Sequence, residues 1–355
     1  MPANQTLNDS QCNSFSYPRS IVPTLYFLMF PIALVLNGVA AWVSLHLKAT
    51  SSFVVFLKNL VAADVIMALL IPIKAASDLT GASNLLFVLS CRYFSTIFYS
   101  TKYTSIALLG FIGLDRFFKI MTPQNKFFGL TFSRLMSGSV WVILFGGTAL
   151  PNIIFTNQSV ANMSQITTCM KLKGPDGLEL HNMIVIFLNV VFWIISVVIT
   201  FCYICISNQV IRSFRNSGST NNQGKQKIKL RVFLVVIVFF VSFTPYHIIR
   251  IPYTFQQVKD SSYRTCSYLK SNFAKEFTLW LATTNICTDP LLYVFLCREF
   301  KEKLVSMMKN VSMSFKAAPG GSYSFKKKLK HFGKYPFCFR EKMRLSIPLM
   351  SVHLI

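Results

Sequence analysis

Three residues in the stretch SFTPYHIIRIPYTF, positions 242–255, and Gln257 just beyond it have side chains suited to holding an anion. Arg250, Tyr253 and Gln257 follow an i, i+3, i+7 spacing, which on a helix of about 100° per residue gathers them within roughly 60° of arc. His247 stands one turn before Arg250. Arginine offers a planar fork that donates two parallel bonds to a phosphate or carboxylate, whereas lysine acts as a point charge. The chemistry of such a stripe is recognition, not bond-making. A snorkelling arginine at a membrane boundary accounts for Arg250 equally well from spacing alone. Elsewhere, Tyr99 and Tyr103 stand four residues apart, where packing against a neighbour and stacking on a flat ligand are both open readings. Lys102 lies between them, and Lys275 adjoins Glu276.

These residues sit in or beside segments built for lipid. The chain of 355 residues is 53% hydrophobic and 14% charged, with 34 phenylalanines. Soluble domains carry about 25% charged residues. Seven largely apolar runs, near 21–47, 53–76, 93–120, 135–154, 183–206, 230–253 and 273–296, are each long enough to cross a hydrocarbon layer of about 30 Å. The expected architecture is an all-α membrane protein, a seven-helix transmembrane bundle. The short alternating segments of a membrane β-barrel are absent.

Orientation follows from the basic residues. Lys48, Lys58, Arg116, Lys119, Lys126 and Arg134, the cluster from Arg212 to Arg231, and the basic tail fall on one side, which is then cytoplasmic. The net charge of +24 reads as attraction to anionic inner-leaflet lipid rather than as a nucleic-acid groove. The division implied is an extracellular tail over 1–20, a seven-transmembrane domain over 21–297, a short amphipathic eighth helix over 298–309 and a cytoplasmic basic tail over 310–355. Met1 to Ser20 is polar, so no cleavable signal peptide is expected there.

Sequons at Asn4, Asn8, Asn157 and Asn162 all fall on the outer side. So do Cys12, Cys91, Cys169 and Cys266, an even number on the oxidising face that implies two disulfides in one of three pairings. Inside the runs, Asn37, Asp64, Lys102, His247, Arg250, Asn285 and Asp289 are costly in hydrocarbon and therefore functional candidates. For Asn37, Asp64, Asn285 and Asp289 the reading is an internal polar network with a moving part. Asp115-Arg116 at the cytoplasmic end of the third run is open between an ion pair and a snorkelling arginine. No Ser–His–Asp set or metal-spaced His/Cys cluster is present, so an enzyme is not expected, and no cofactor is implied. Internal repeats of a transporter are likewise not seen.

Seven landmarks stand in order. They are Leu36-Asn37-Gly38, Ala62-Ala63-Asp64, Asp115-Arg116-Phe117, Trp141, Tyr203, Phe239-x5-Pro245 and Asp289-Pro290-Leu291-Leu292-Tyr293. Together they resemble the rhodopsin-like G-protein-coupled receptors. The stretches FLKNLVAAD, LPNIIFTNQSV, KLKGPDGLELH, PYHIIRIPYT and KEFTLWLATTNICTDPLLYVFLC are similar to the purinergic nucleotide receptors, in the inhibitory-G-protein group that answers ADP or UDP-sugars. Phe117 and ATTNICTDPLLY resemble the ADP receptors of that group, while TNQSV resembles its UDP-glucose receptors.

The resemblance implies a set of roles. Arg250 and Lys275 would bind phosphate, with Tyr253, His247 and Gln257 beside them. Tyr99 would stack on the base, with Tyr103 below, and Asn152, Lys173 and His181 would complete the pocket. Cys91 would pair with Cys169, and Cys12 with Cys266. Pro245 would bend the sixth helix beside Phe239. Asp64, Asn285, Asp289 and Pro290 would rearrange, and Asp115, Arg116, Tyr203 and Tyr293 would face the G protein. Two departures stand out: Val185 replaces an asparagine of the relatives, and Lys102 replaces a methionine. Lys102 is open among a ligand contact, a carboxylate partner and a snorkelling side chain.

Overall fold

The computed structural model describes residues 20–79, 81–122, 129–158, 168–216, 222–259 and 266–317, and among these the regular structure is helical. Helix α1 is Ile21–Leu45, α2 is Ser52–Asp78, α3 is Ser95–Met121 and α4 is Leu130–Ile154. They are followed by α5, Pro175–Asn216, α6, Asn222–Lys259, and α7, Cys266–Thr283, with α8, Asn285–Leu296, after a break at Thr284. Helix α9 is Arg298–Ala317. Helices α1, α2, α4, α5 and α6 are long and apolar enough to cross a membrane; α3 carries Lys102, Asp115, Arg116 and Lys119 within the same length.

Most helices outrun the apolar runs that foretold them. Helix α5 begins at Pro175 and α6 at Asn222, several residues before the hydrophobic segment in each case. Hydropathy marks only the part that needs lipid, while polar flanks continue the same backbone hydrogen bonding in water. Where the chain enters α2, the Ser51 hydroxyl accepts from the Val54 amide at 3.5 Å, an N-cap. The segment Val142–Ala149 within α4 and the turn Ser90–Phe94 ahead of α3 are wound wider than an α-helix.

The chain divides into two units, 1–292 and 293–355. In the first, α3 packs on α2, α4 and α5, α6 lies between α5 and α7, and α7 returns to α1. Outward-facing Leu28, Val35, Val142 and Val197 are each more than 60% exposed, as expected where lipid is the solvent. Between helices the contacts are small or polar. A Cβ on Gly110 of α3 would stand 3.0 Å from the Ile195 side chain of α5, so glycine permits that approach. The Asn37 amide donates to the Ile286 carbonyl at 2.9 Å, and Trp141 donates to Asn59 at 3.1 Å. Ser100 and Thr148 meet at 3.0 Å, and Ser105 donates to Asp64 at 3.3 Å. In the second unit Tyr293 meets the Phe300 ring edge-on at 5.8 Å, and α9 runs past the expected end near 309 to Ala317.

Candidate ligand-binding site

At one end of the bundle, beside the disulfide between Cys91 and Cys169, lies a cavity of about 240 Å3. The disulfide ties the head of α3 to the segment before α5, and both cysteines line the cavity. Helix α6 contributes Tyr246, Arg250, Tyr253 and Gln257, so the i, i+3, i+7 stripe does share one wall. Tyr99 and Tyr103 come from α3, Asn152 from α4, Lys173 from the segment before α5, His181 from α5, and Lys275 and Glu276 from α7. Val185 lines it too and contributes an apolar surface.

Two expected members lie elsewhere. His247 is 1% exposed and outside the cavity: its ring stacks on Phe192 at 3.6 Å, and its Nδ1 bonds the Phe243 carbonyl at 2.8 Å. The reason is helical phase. His247 stands about 60° to one side of Arg250, whereas Tyr246, Tyr253 and Gln257 stand to the other, so His247 turns towards α5. Lys102 is fully buried and also outside the cavity lining. Its Nζ lies 3.5 Å from the centroid of the Tyr246 ring and 5.7 Å from that of Tyr99. It stands in ion-pair range of no carboxylate among the described residues.

Charge in the cavity is unbalanced. Lys74, Lys173, Arg250 and Lys275 are its cations; Asp78 and Glu276 are its carboxylates. Lys74 donates to Asp78 at 2.6 Å and stands 3.3 Å from Glu276, whose other oxygen bonds Lys275. That Lys275–Glu276 pair is buried rather than exposed, because the wall of α2 brings Lys74 across to it. Arg250 is different. Only 6% exposed, it has no carboxylate in ion-pair range among the described residues, and its guanidinium lies 5.4 Å from the Tyr99 ring centroid. Lys74 and Asp78 are the residues sequence reasoning missed. The signal was there, since Lys74 lies inside the second apolar run with an acid four residues on.

The remaining polar groups form short links. Tyr253 donates its hydroxyl to Asn272 at 2.9 Å, and the Lys275 ammonium lies 5.0 Å from the Tyr253 ring centroid. Lys173 donates to the side-chain Oδ1 of Asn152 at 2.7 Å, and burial holds its ammonium down at about 8. His181 Nε2 and Gln257 Oε1 are enclosed without a hydrogen-bond partner among the described residues. The site presents fixed cations, tyrosine faces and spare amide and imidazole groups, the makings of a pocket for a flat, anionic molecule.

At the opposite end, Asp115 is buried and pairs with Lys119 at 2.8 Å, while the Arg116 guanidinium lies 4.0 Å from the Phe53 ring centroid. The carboxylate chooses the residue one helical turn on, which a strictly adjacent side chain cannot match in direction. Tyr203 packs against Gly113, and Phe239 stacks near Phe192 and Phe243 beside Pro245. Asp64 and Asp289 are fully buried, and Asn285 donates to Asp289 at 2.6 Å. Pro290 lies within α8. Asn157 is exposed. Asn4, Asn8, Asn162, Cys12 and the Cys266 side chain lie outside the described residues.

Comparison with known proteins matches residues 36–293 to the model of the 7 transmembrane receptor (rhodopsin family). P2Y purinoceptor 13 of Homo sapiens is 41% identical over 290 residues, covering 81% of this chain and 81% of the relative. P2Y purinoceptor 14 of Bos taurus is 36% identical over 288 residues, 81% of this chain and 85% of the relative. G-protein coupled receptor 87 of Mus musculus is 37% identical over 289 residues, 80% of this chain and 79% of the relative.

Proposed function

The chain belongs to the rhodopsin family of seven-transmembrane receptors and, within it, to the P2Y purinoceptors, and on that footing we propose that it senses an extracellular nucleotide, ADP, and lowers cAMP through an inhibitory heterotrimeric G protein. It is a receptor, not an enzyme. The proposed setting is the plasma membrane, with the N-terminus and the cavity outside and membrane lipid around the bundle. The observation that carries the ligand class is Arg250, a buried guanidinium without a carboxylate, set against a tyrosine ring and opening on a cavity with excess positive charge.

In this reading the phosphates lie between Arg250 on α6 and Lys275 on α7, and the base lies against Tyr99. Agonist shifts the bundle only by the difference in its affinity for the two states. A diphosphate that draws the two cations together favours the state in which α6 and α7 approach. Pro245 breaks the hydrogen-bond ladder of α6 and supplies the bend. The polar groups Asp64, Asn285 and Asp289 are the part that rearranges; Asp115, Arg116 and Tyr203 of the first unit, and separately Tyr293 of the second, are the proposed G-protein contacts.

A UDP-sugar is the second reading. Asp78 and Glu276 in the cavity wall favour hydroxyl groups over a further phosphate, since carboxylates accept from hydroxyls and repel anions. The test is cAMP inhibition in cells expressing wild type or Arg250→Ala, with ADP, UDP-glucose and a lysophospholipid, with and without pertussis toxin. Toxin-sensitive inhibition by ADP that Arg250→Ala abolishes supports the proposal. A lipid active on both receptors, with nucleotides silent, overturns it.

A further inference from the structure

Lys102 lies outside the cavity lining and has no carboxylate in ion-pair range among the described residues. It is 0% exposed, and its Nζ has no hydrogen-bond partner among the described residues. The ammonium rests over the Tyr246 ring at 3.5 Å, on the same helix face as Arg250 one turn further along. It also shares the Tyr99 ring with Arg250, the two cations lying 5.7 Å and 5.4 Å from its centroid. Among the charged groups around it are the cations Arg250, Lys275 and Lys74 and the acid Glu276; the His247 imidazole is close by.

A cation held in hydrocarbon-like surroundings without a counter-charge is unfavourable, and the tyrosine faces offset only part of that cost. Because Lys102 is buried, negative charge entering the cavity favours its ammonium form, with less screening than at an exposed site. Whatever negative charge enters the cavity therefore relieves Lys102 in proportion to how much it carries. Resting on the nucleotide reading, we infer that Lys102 determines specificity by ligand charge: without touching the ligand, it makes the site prefer nucleoside diphosphates to monophosphates. It does so at the expense of the empty receptor's stability. Methionine in its place would pack as well and lose both effects.

One further unit of ligand charge at about 10 Å, with an effective dielectric near 20, corresponds to roughly a tenfold change in affinity. The experiment uses the purified full chain in nanodiscs at fixed ionic strength. Competition binding of ADP with AMP, and of UDP with UMP, is measured on wild type, Lys102→Met and Lys102→Gln, together with the melting temperature of each empty receptor. In whichever base series binds, the diphosphate-to-monophosphate preference is expected to fall about tenfold in both variants. Empty Lys102→Met is expected to melt above wild type. A preference that does not change overturns the inference while leaving the nucleotide reading intact. So does a Lys102→Met receptor that melts lower or fails to fold, since the ammonium would then be structural. If the wild type binds neither diphosphate, the nucleotide reading itself falls, and this inference with it.

Discussion

The Arg250 guanidinium lies 5.4 Å from the centroid of the Tyr99 ring, joining α6 to α3 across the mouth of the cavity. The cation proposed for phosphate and the face proposed for the base are thus one stacked pair. Each limits where the other can go, and the mutations below follow from that coupling.

Arg250→Ala removes a buried cation of the cavity that has no acid in ion-pair range among the described residues. Nucleotide affinity should drop about 100-fold, the worth of a buried charge-assisted bidentate contact, and Arg250→Lys should recover only part of it. Competition binding normalised to surface expression measures both. Equal affinity in Arg250→Ala and wild type would remove Arg250 from the site.

Tyr99→Ala removes the ring under the guanidinium as well as a wall of the cavity. A loss of about tenfold in nucleotide affinity is expected, with Tyr99→Phe within about threefold of wild type, because the face and not the hydroxyl is used. A Phe variant as weak as the Ala variant would point to the hydroxyl instead.

Glu276 holds both Lys275 and Lys74. Glu276→Gln leaves Lys74 with Asp78 and releases Lys275, so a purely phosphate-driven ligand should bind about threefold to tenfold tighter. The gain should shrink at high salt. A ligand that binds more weakly to Glu276→Gln uses the carboxylate as an acceptor, which is the signature of the sugar-bearing alternative.

Lys173 supplies a pH dependence with a definite sign. Burial lowers its ammonium from the ordinary 10.5 to about 8, so above pH 8 the empty site loses this charge. A bound phosphate favours the charged form and raises that value again. Affinity is therefore full below pH 8 and falls as pH rises through 8 towards 10. The same depression costs the folded state stability below pH 8, a cost relieved as pH rises from 8 towards 10.5. Binding isotherms of purified receptor from pH 7 to 9.5 should show the decline, and Lys173→Arg should flatten it.

Much of the site was readable from spacing. Arg250, Tyr253 and Gln257 share a wall because three residues at i, i+3 and i+7 have no other choice on a helix. Cys91 and Cys169 meet as the family resemblance implied. His247 lies outside the cavity because i−3 turns about 60° to the side of Arg250 opposite to Tyr253 and Gln257, towards Phe192. The partner of Asp115, which sequence left open, includes Lys119 a full turn away.

By itself the sequence determined the spans, their order and the polar residues that lipid would not tolerate, because hydrocarbon penalises every unsatisfied polar group and apolar length is countable. Only the tertiary structure decided which face of each helix meets which neighbour. In a soluble helix the polar side marks the outside. Here both the lipid-facing and bundle-facing sides are apolar, so rotation about the helix axis leaves little trace in composition. That rotation sets Lys74 against Glu276, lays Lys102 on Tyr246 outside the cavity, and leaves Arg250 facing it without a carboxylate.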